Sequence, residues 1–152
     1  FIKFDEIKGS IVVLNGLTSP ENVGSIVRSC AAFDIGTLII DEKTCSPFIR
    51  RCIRVSTGNL FNVNVYKSSA LKDDLIKLKE QGYTISTTAN ATNAISLKDY
   101  NFPSKAGIVI GNEGFGVDAE IFELSDKKLK ISMINILRTL TKKENNINSI
   151  KN

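Results

Sequence analysis

Residues 11–33 read IVVLNGLTSPENVGSIVRSCAAF, and this stretch decides the fold class. Ile11 through Leu14 form an unbroken, largely β-branched apolar run ended by Asn15-Gly16, the pattern of a strand buried on both faces. Ser19 and Pro20 follow as an N-cap serine and a proline at the first helical position. Val23, Ile26, Val27, Cys30 and Ala31 then recur at the spacing of one helix face.

The same alternation continues outward. Gly36 punctuates, and 37–40 reads as a second strand. Pro47 opens a helix through about Val55, which Ser56-Thr57-Gly58-Asn59 ends with Gly58 as the stop. A strand over 62–66 precedes a helix over 69–81, with Leu71, Leu75 and Leu78 at helical spacing and Gly82 as terminator. Strands over 83–87 and 106–110, a short helix over 118–124 and a last strand over 129–132 complete the body. Strands alternating with helices, the central ones apolar throughout, predict an α/β fold: a mostly parallel sheet with helices on both faces. We find no internal repeat and no linker, so 1–133 is expected to be one domain. Residues 134–152 differ in kind. Four of the last eight are Asn, and so little apolar surface to offset ordering entropy predicts a poorly ordered tail.

Composition narrows the function. At 152 residues and 42% apolar the chain can bury one ordinary core. No apolar run approaches the ~18 residues of a membrane span, and no signal peptide opens it. The first residue is Phe1 rather than Met, so an upstream part is expected to be missing. Three cysteines without metal spacing and no histidine argue against a metal site and against a His-based triad. The cysteines are expected to be buried, reduced thiols of a cytoplasmic protein. The net charge of +4 is mostly in the tail, where Arg138, Lys142, Lys143 and Lys151 against Glu144 carry +3 and leave +1 for the body.

In an open parallel sheet, ligands bind beyond the carboxyl ends of strands. Two loops qualify. The first, NGLTSPENVG over 15–24, leads into the helix that carries Arg28. Gly24 and Arg28 are four apart, one above the other, with Glu21 a turn earlier. A glycine inside a helix costs about 1 kcal/mol against alanine, so it predicts a close neighbour. That neighbour is either a substrate that Arg28 also reaches, or nothing, on a solvated face. Asn22 could equally satisfy local backbone groups. The second loop, GNEGFG over 111–116, can turn its amides toward a ligand or simply make a tight turn. Its G-x-x-G-x-G order is not that of dinucleotide folds. Between the loops, Arg50 and Arg54 share a helix face suited to RNA phosphates, or to solvent.

Taken together, Pro20-Glu-Asn22-Val-Gly24-Ser-Ile-Val-Arg28, then Ser46 to Gly58, then Ile108-Val-Ile-Gly111-Asn112-Glu113-Gly114-Phe-Gly116 resemble the ordered motifs of the SpoU (TrmH-like) branch of SPOUT RNA methyltransferases. The similarity runs over 10–133. It implies an α/β trefoil-knot fold and a homodimer that binds S-adenosylmethionine and methylates a ribose 2′-hydroxyl of tRNA or rRNA. An N-terminal RNA-binding domain often precedes such domains. Carried over, Arg28, Asn22 and Glu113 are the catalytic residues, and Gly111, Asn112, Gly116, Ile131 and Ser86 the cofactor-binding ones. The tail after Met133 departs from the family's third motif, so the alternative reading is a catalytically impaired, RNA-binding paralogue.

Overall fold

Strand β1 (Ile11–Asn15) is buried along its whole length and lies at the centre of the sheet. The computed structural model describes residues 1–89, 94–96 and 99–130. Along the chain β1 is followed by α1 (Pro20–Ala32), β2 (Thr37–Ile40), α2 (Arg50–Val55), β3 (Val65–Lys67) and α3 (Leu71–Glu80). Then come β4 (Thr84–Thr88), β5 (Ile95–Ser96), β6 (Ala106–Gly111), α4 (Ala119–Leu124) and β7 (Lys127–Lys130). Among the described residues these seven strands form one sheet in the order β3-β2-β1-β6-β4-β7-β5, every pair parallel.

Because side chains alternate across a strand, each apolar strand feeds two cores. Val12 and Leu14 of β1 join Leu38, Ile40 and Ile110 beneath α1 and α2. Ile11 and Val13 join Ile39, Ile85 and Val109 beneath α3 and α4. The expected two-sided packing is what the sheet shows.

α1 begins as read: the Ser19 side chain accepts from the Asn22 N–H, Pro20 is at the first position, and Val23, Ile26, Val27 and Cys30 are buried. Gly58 takes φ +79°, and its N–H caps α2 at the Ile53 carbonyl. Other boundaries move. α2 starts at Arg50 rather than Pro47, because Ser46 accepts from the Phe48 N–H and holds 46–49 in a turn. β3 starts at Val65 rather than 62, because Asn59–Asn62 coils into a 3-10 turn. β7 starts two residues before the expected 129, with Leu129 its one buried residue.

β5 has no counterpart in the sequence reading. Among the described residues it pairs only with β7, so β7 enters between two strands the chain has already laid down. The knot implied by the resemblance turns on residues after Lys130, which lie outside the described residues, as do Ile131 and the 134–152 tail. No helix among the described residues is long and apolar enough to cross a membrane. All three cysteines are free; Cys30 and Cys52 are buried and Cys45 half-buried. Burial pushes the Cys30 thiol up to about 12, so it stays protonated and inert.

Candidate active site

β1 and β6 are adjacent and parallel, with Asn15 opposite Gly111 in the register. Both loops singled out in the sequence therefore leave the same edge of the sheet side by side. Three side chains then tie them together. Asn112 Nδ2 donates to the Gly16 carbonyl at 2.8 Å. Asn15 Oδ1 accepts the Asp118 N–H at 2.7 Å. Asn22 Nδ2 donates to Glu113 Oε1 at 2.7 Å, a bond that spans 91 residues of sequence.

The second loop is built from its own asparagine. Asn112 and Gly116 exchange two backbone hydrogen bonds of 3.0 and 2.8 Å. Asn112 Oδ1 accepts the N–H groups of Gly114 (2.8 Å) and Phe115 (3.0 Å). The Asn112 side chain is thus spent on shaping the loop. Gly116 supplies the positive φ (+74°) the turn needs. Gly111 is required for another reason: a Cβ there would lie 2.3 Å from the carbonyl carbon of Gly116 and from the Val117 nitrogen.

The first loop brings a correction. The close neighbour that Gly24 predicts is α2, not a substrate: a Cβ on Gly24 would meet Val55 Cβ at 2.7 Å and the Cys52 carbonyl at 3.1 Å. Gly24 is buried in that helix contact, while Arg28 on the following turn is exposed. Glu21, expected on the Arg28 stripe, pairs with Arg51 of α2 instead. Arg28 makes no ion pair among the described residues. Asn22 uses its side chain to reach Glu113 rather than local backbone groups.

Arg50 and Arg54 are exposed, one turn apart on α2. Ser86 sits in β4 between Ile108 of β6 and Lys127 of β7, two residues before the strand ends. It is 1% exposed, and its Oγ alone among the described buried side-chain polar atoms lacks a hydrogen-bond partner. No group of three or more His, Cys, Asp or Glu among the described residues could hold a metal ion.

The sequence reading missed the brace beneath both loops. Asn15, 2% exposed, donates to Asp41 Oδ2 (2.8 Å) and Asp118 Oδ2 (3.2 Å). Asp41 in turn accepts the Gly16 N–H (3.1 Å) and the Thr44 N–H (2.9 Å). The signal was there: a polar residue closes each of two neighbouring apolar strands, Asn15 after IVVL and Asp41 after LII. Asn15→Leu removes the partner of the half-buried Asp118 N–H and a partner of the buried Asp41 carboxylate. At about 1–3 kcal/mol per unsatisfied group, the expected loss is about 3 kcal/mol. Thermal unfolding should then fall by roughly 6–12 °C for a chain of this size. A shift under about 2 °C would show the brace to be dispensable.

Comparison with known proteins bears on the same residues. The model of the SpoU rRNA Methylase family matches residues 9–140. A Staphylococcus epidermidis protein named as a TrmH family tRNA/rRNA methyltransferase is 30% identical over 131 residues, 86% of this chain and 52% of that protein. The chain thus spans about half the length of the curated relatives it matches. Among solved structures, the SpoU methyltransferase AviRb from Streptomyces viridochromogenes, in complex with AdoMet, superposes with a TM-score of 0.74. It is 21% identical, covering 95% of this chain and 62% of that one. A structure solved for the 2-OH methylation of C/U34 on tRNA superposes with a TM-score of 0.74 at 15% identity, covering 89% and 93%. These likenesses establish the fold.

Proposed function

The chain belongs to the SpoU rRNA methylase family, and from that premise we propose that it methylates a ribose 2′-hydroxyl of tRNA or rRNA with S-adenosylmethionine. We place it in the cytoplasm as a homodimer. The observation that carries this reading is the Asn22–Glu113 hydrogen bond of 2.7 Å, which joins the two family motifs at the strand ends where an α/β sheet binds its ligands.

The residues present fit the cofactor. Ser86 offers a buried hydroxyl with an unused hydrogen-bonding capacity, and a polar group buried in this way usually has a partner. The Gly111–Gly116 loop forms one wall, shaped by Asn112, and Ile131 would belong to the other. S-adenosylmethionine, when bound, supplies an electrophilic methyl group. The protein's own task is to hold the ribose and favour the charge that develops on its oxygen. Arg28, exposed one helical turn beyond Gly24, is the stabiliser of that oxygen or its neighbouring phosphate. A guanidinium stays charged at any relevant pH, which suits it to stabilising that charge. Asn22 and Glu113 shape the surroundings by holding the two loops together.

The test is to incubate the 152-residue chain with methyl-labelled S-adenosylmethionine and total tRNA or rRNA, then hydrolyse with alkali. A 2′-O-methyl group blocks attack by that oxygen on the adjacent phosphate, so label is expected in alkali-resistant dinucleotides. Label in mononucleotides would mean base methylation and overturn the reading.

Arg50 and Arg54 are assigned to RNA phosphates. Replacing both with alanine is expected to weaken RNA binding and to lower the slope of log affinity against log salt by about 1.4, at ~0.7 per single-strand contact. An unchanged slope would leave both arginines to solvent.

A further inference from the structure

The tip of the β6 loop carries a side chain that the chemistry above does not use. Phe115 is 95% exposed, yet its backbone is held firmly: its own N–H donates to Asn112 Oδ1 at 3.0 Å, inside the turn closed by the two Asn112–Gly116 hydrogen bonds. An open turn could fold the ring back onto the protein. This one holds a flat apolar face out in water, at the expense of the burial it could otherwise gain.

The surroundings say what would cover it. Phe115 stands two residues from Glu113, which reaches Asn22 on the first turn of α1. The residue before Asn22, Glu21, pairs with Arg51 of α2, and Arg50 and Arg54 are exposed on that same helix. No acidic residue lies between Cys45 and Gly58. The surface thus runs from an isolated aromatic ring, across the candidate active site, to an arginine-rich helix. The immediate neighbours of the ring in the loop are Glu113, Gly114 and Gly116, so its own loop adds no apolar side chain that would extend it into a patch of the kind a protein partner buries. An exposed ring on a surface that continues through Glu113–Asn22 and Glu21–Arg51 to exposed guanidinium groups suits a nucleobase, whose face stacks on the ring while the strand's phosphates meet the arginines.

We propose that Phe115 is a stacking platform for an unpaired base next to the target ribose, so that the chain selects single-stranded or looped RNA over duplex. This rests on the RNA methyltransferase reading above. In a duplex both faces of each base are already covered, and Phe115 could then gain nothing.

The test uses the full chain and a single-stranded oligoribonucleotide of roughly 12 nucleotides, within reach of one binding module, carrying one 2-aminopurine, with the same strand in a duplex as comparison. The wild type should prefer the single strand and change the 2-aminopurine fluorescence on binding. Phe115→Ala and Phe115→Leu should each weaken single-strand binding about tenfold and lose the fluorescence change, with duplex binding and salt slope unchanged. Phe115→Trp should retain both. Ala and Leu variants that bind the single strand within about twofold of wild type would overturn the proposal while leaving the RNA reading intact. So would a Leu variant that behaves as wild type while Ala shifts the oligomeric state, which would assign the ring to a second copy. A wild-type chain that binds neither RNA would overturn the RNA reading and this proposal with it.

Discussion

Arg28→Ala is expected to lower methyl transfer by about 10²–10³-fold, the usual cost of removing one donor aimed at developing negative charge. The side chain is exposed and makes no ion pair among the described residues, so its charge is free for substrate. For the same reason its removal should cost the fold little, within about 0.5 kcal/mol for an exposed site of this kind. Cofactor affinity should also hold, because the proposed cofactor wall is the β6 loop. The combination is diagnostic: lost turnover, unchanged thermal unfolding, unchanged S-adenosylmethionine binding. Arg28→Lys should recover little, because a compact ammonium does not reproduce a planar, forked donor. A variant with near wild-type turnover would remove Arg28 from the chemistry.

Part of this site was legible in sequence because its residues carry local signals. The apolar run before Asn15-Gly16, the serine cap before Pro20 and the three glycines of GNEGFG each follow from backbone physics within a few residues. What brings them together does not. Asn22 and Glu113 meet because β1 neighbours β6 with Asn15 opposite Gly111, and strand order is a property of the whole sheet. Gly24 shows the same boundary. A helical glycine correctly announced a close approach, but only the packing of α2 says that Val55 and Cys52 make it. β5 is two residues long, too short to carry a period of two, and Lys127 and Lys128 hide the start of β7, whose single buried residue is Leu129. The brace of Asn15, Asp41 and Asp118 was missed because a polar residue after an apolar strand reads as the start of a loop. Its burial depends on elements 26 and 103 residues away.

Gly111→Ala is expected to abolish methyl transfer by a different route. The new methyl would lie 2.3 Å from two backbone atoms, the Gly116 carbonyl carbon and the Val117 nitrogen, and neither can move aside as a flexible side chain could. The turn must therefore open. Opening it breaks the paired Asn112–Gly116 hydrogen bonds and displaces Glu113 from Asn22. Overpacking of this kind costs about 1–3 kcal/mol, and thermal unfolding should fall by roughly 2–12 °C in a chain of this size. Cofactor binding should be lost with the loop's shape. Gly116→Ala separates displacement from backbone strain: its φ is +74° but nothing lies within 4 Å of the added carbon. It should cost only the left-handed penalty of about 1–2 kcal/mol and keep measurable cofactor binding. Gly58→Ala provides the remote control, with φ +79° and the same open space at the end of α2. It should match Gly116→Ala in stability and keep the wild-type affinity for S-adenosylmethionine. If Gly111→Ala bound the cofactor as well as Gly58→Ala, the Gly111–Gly116 loop would not be the cofactor wall.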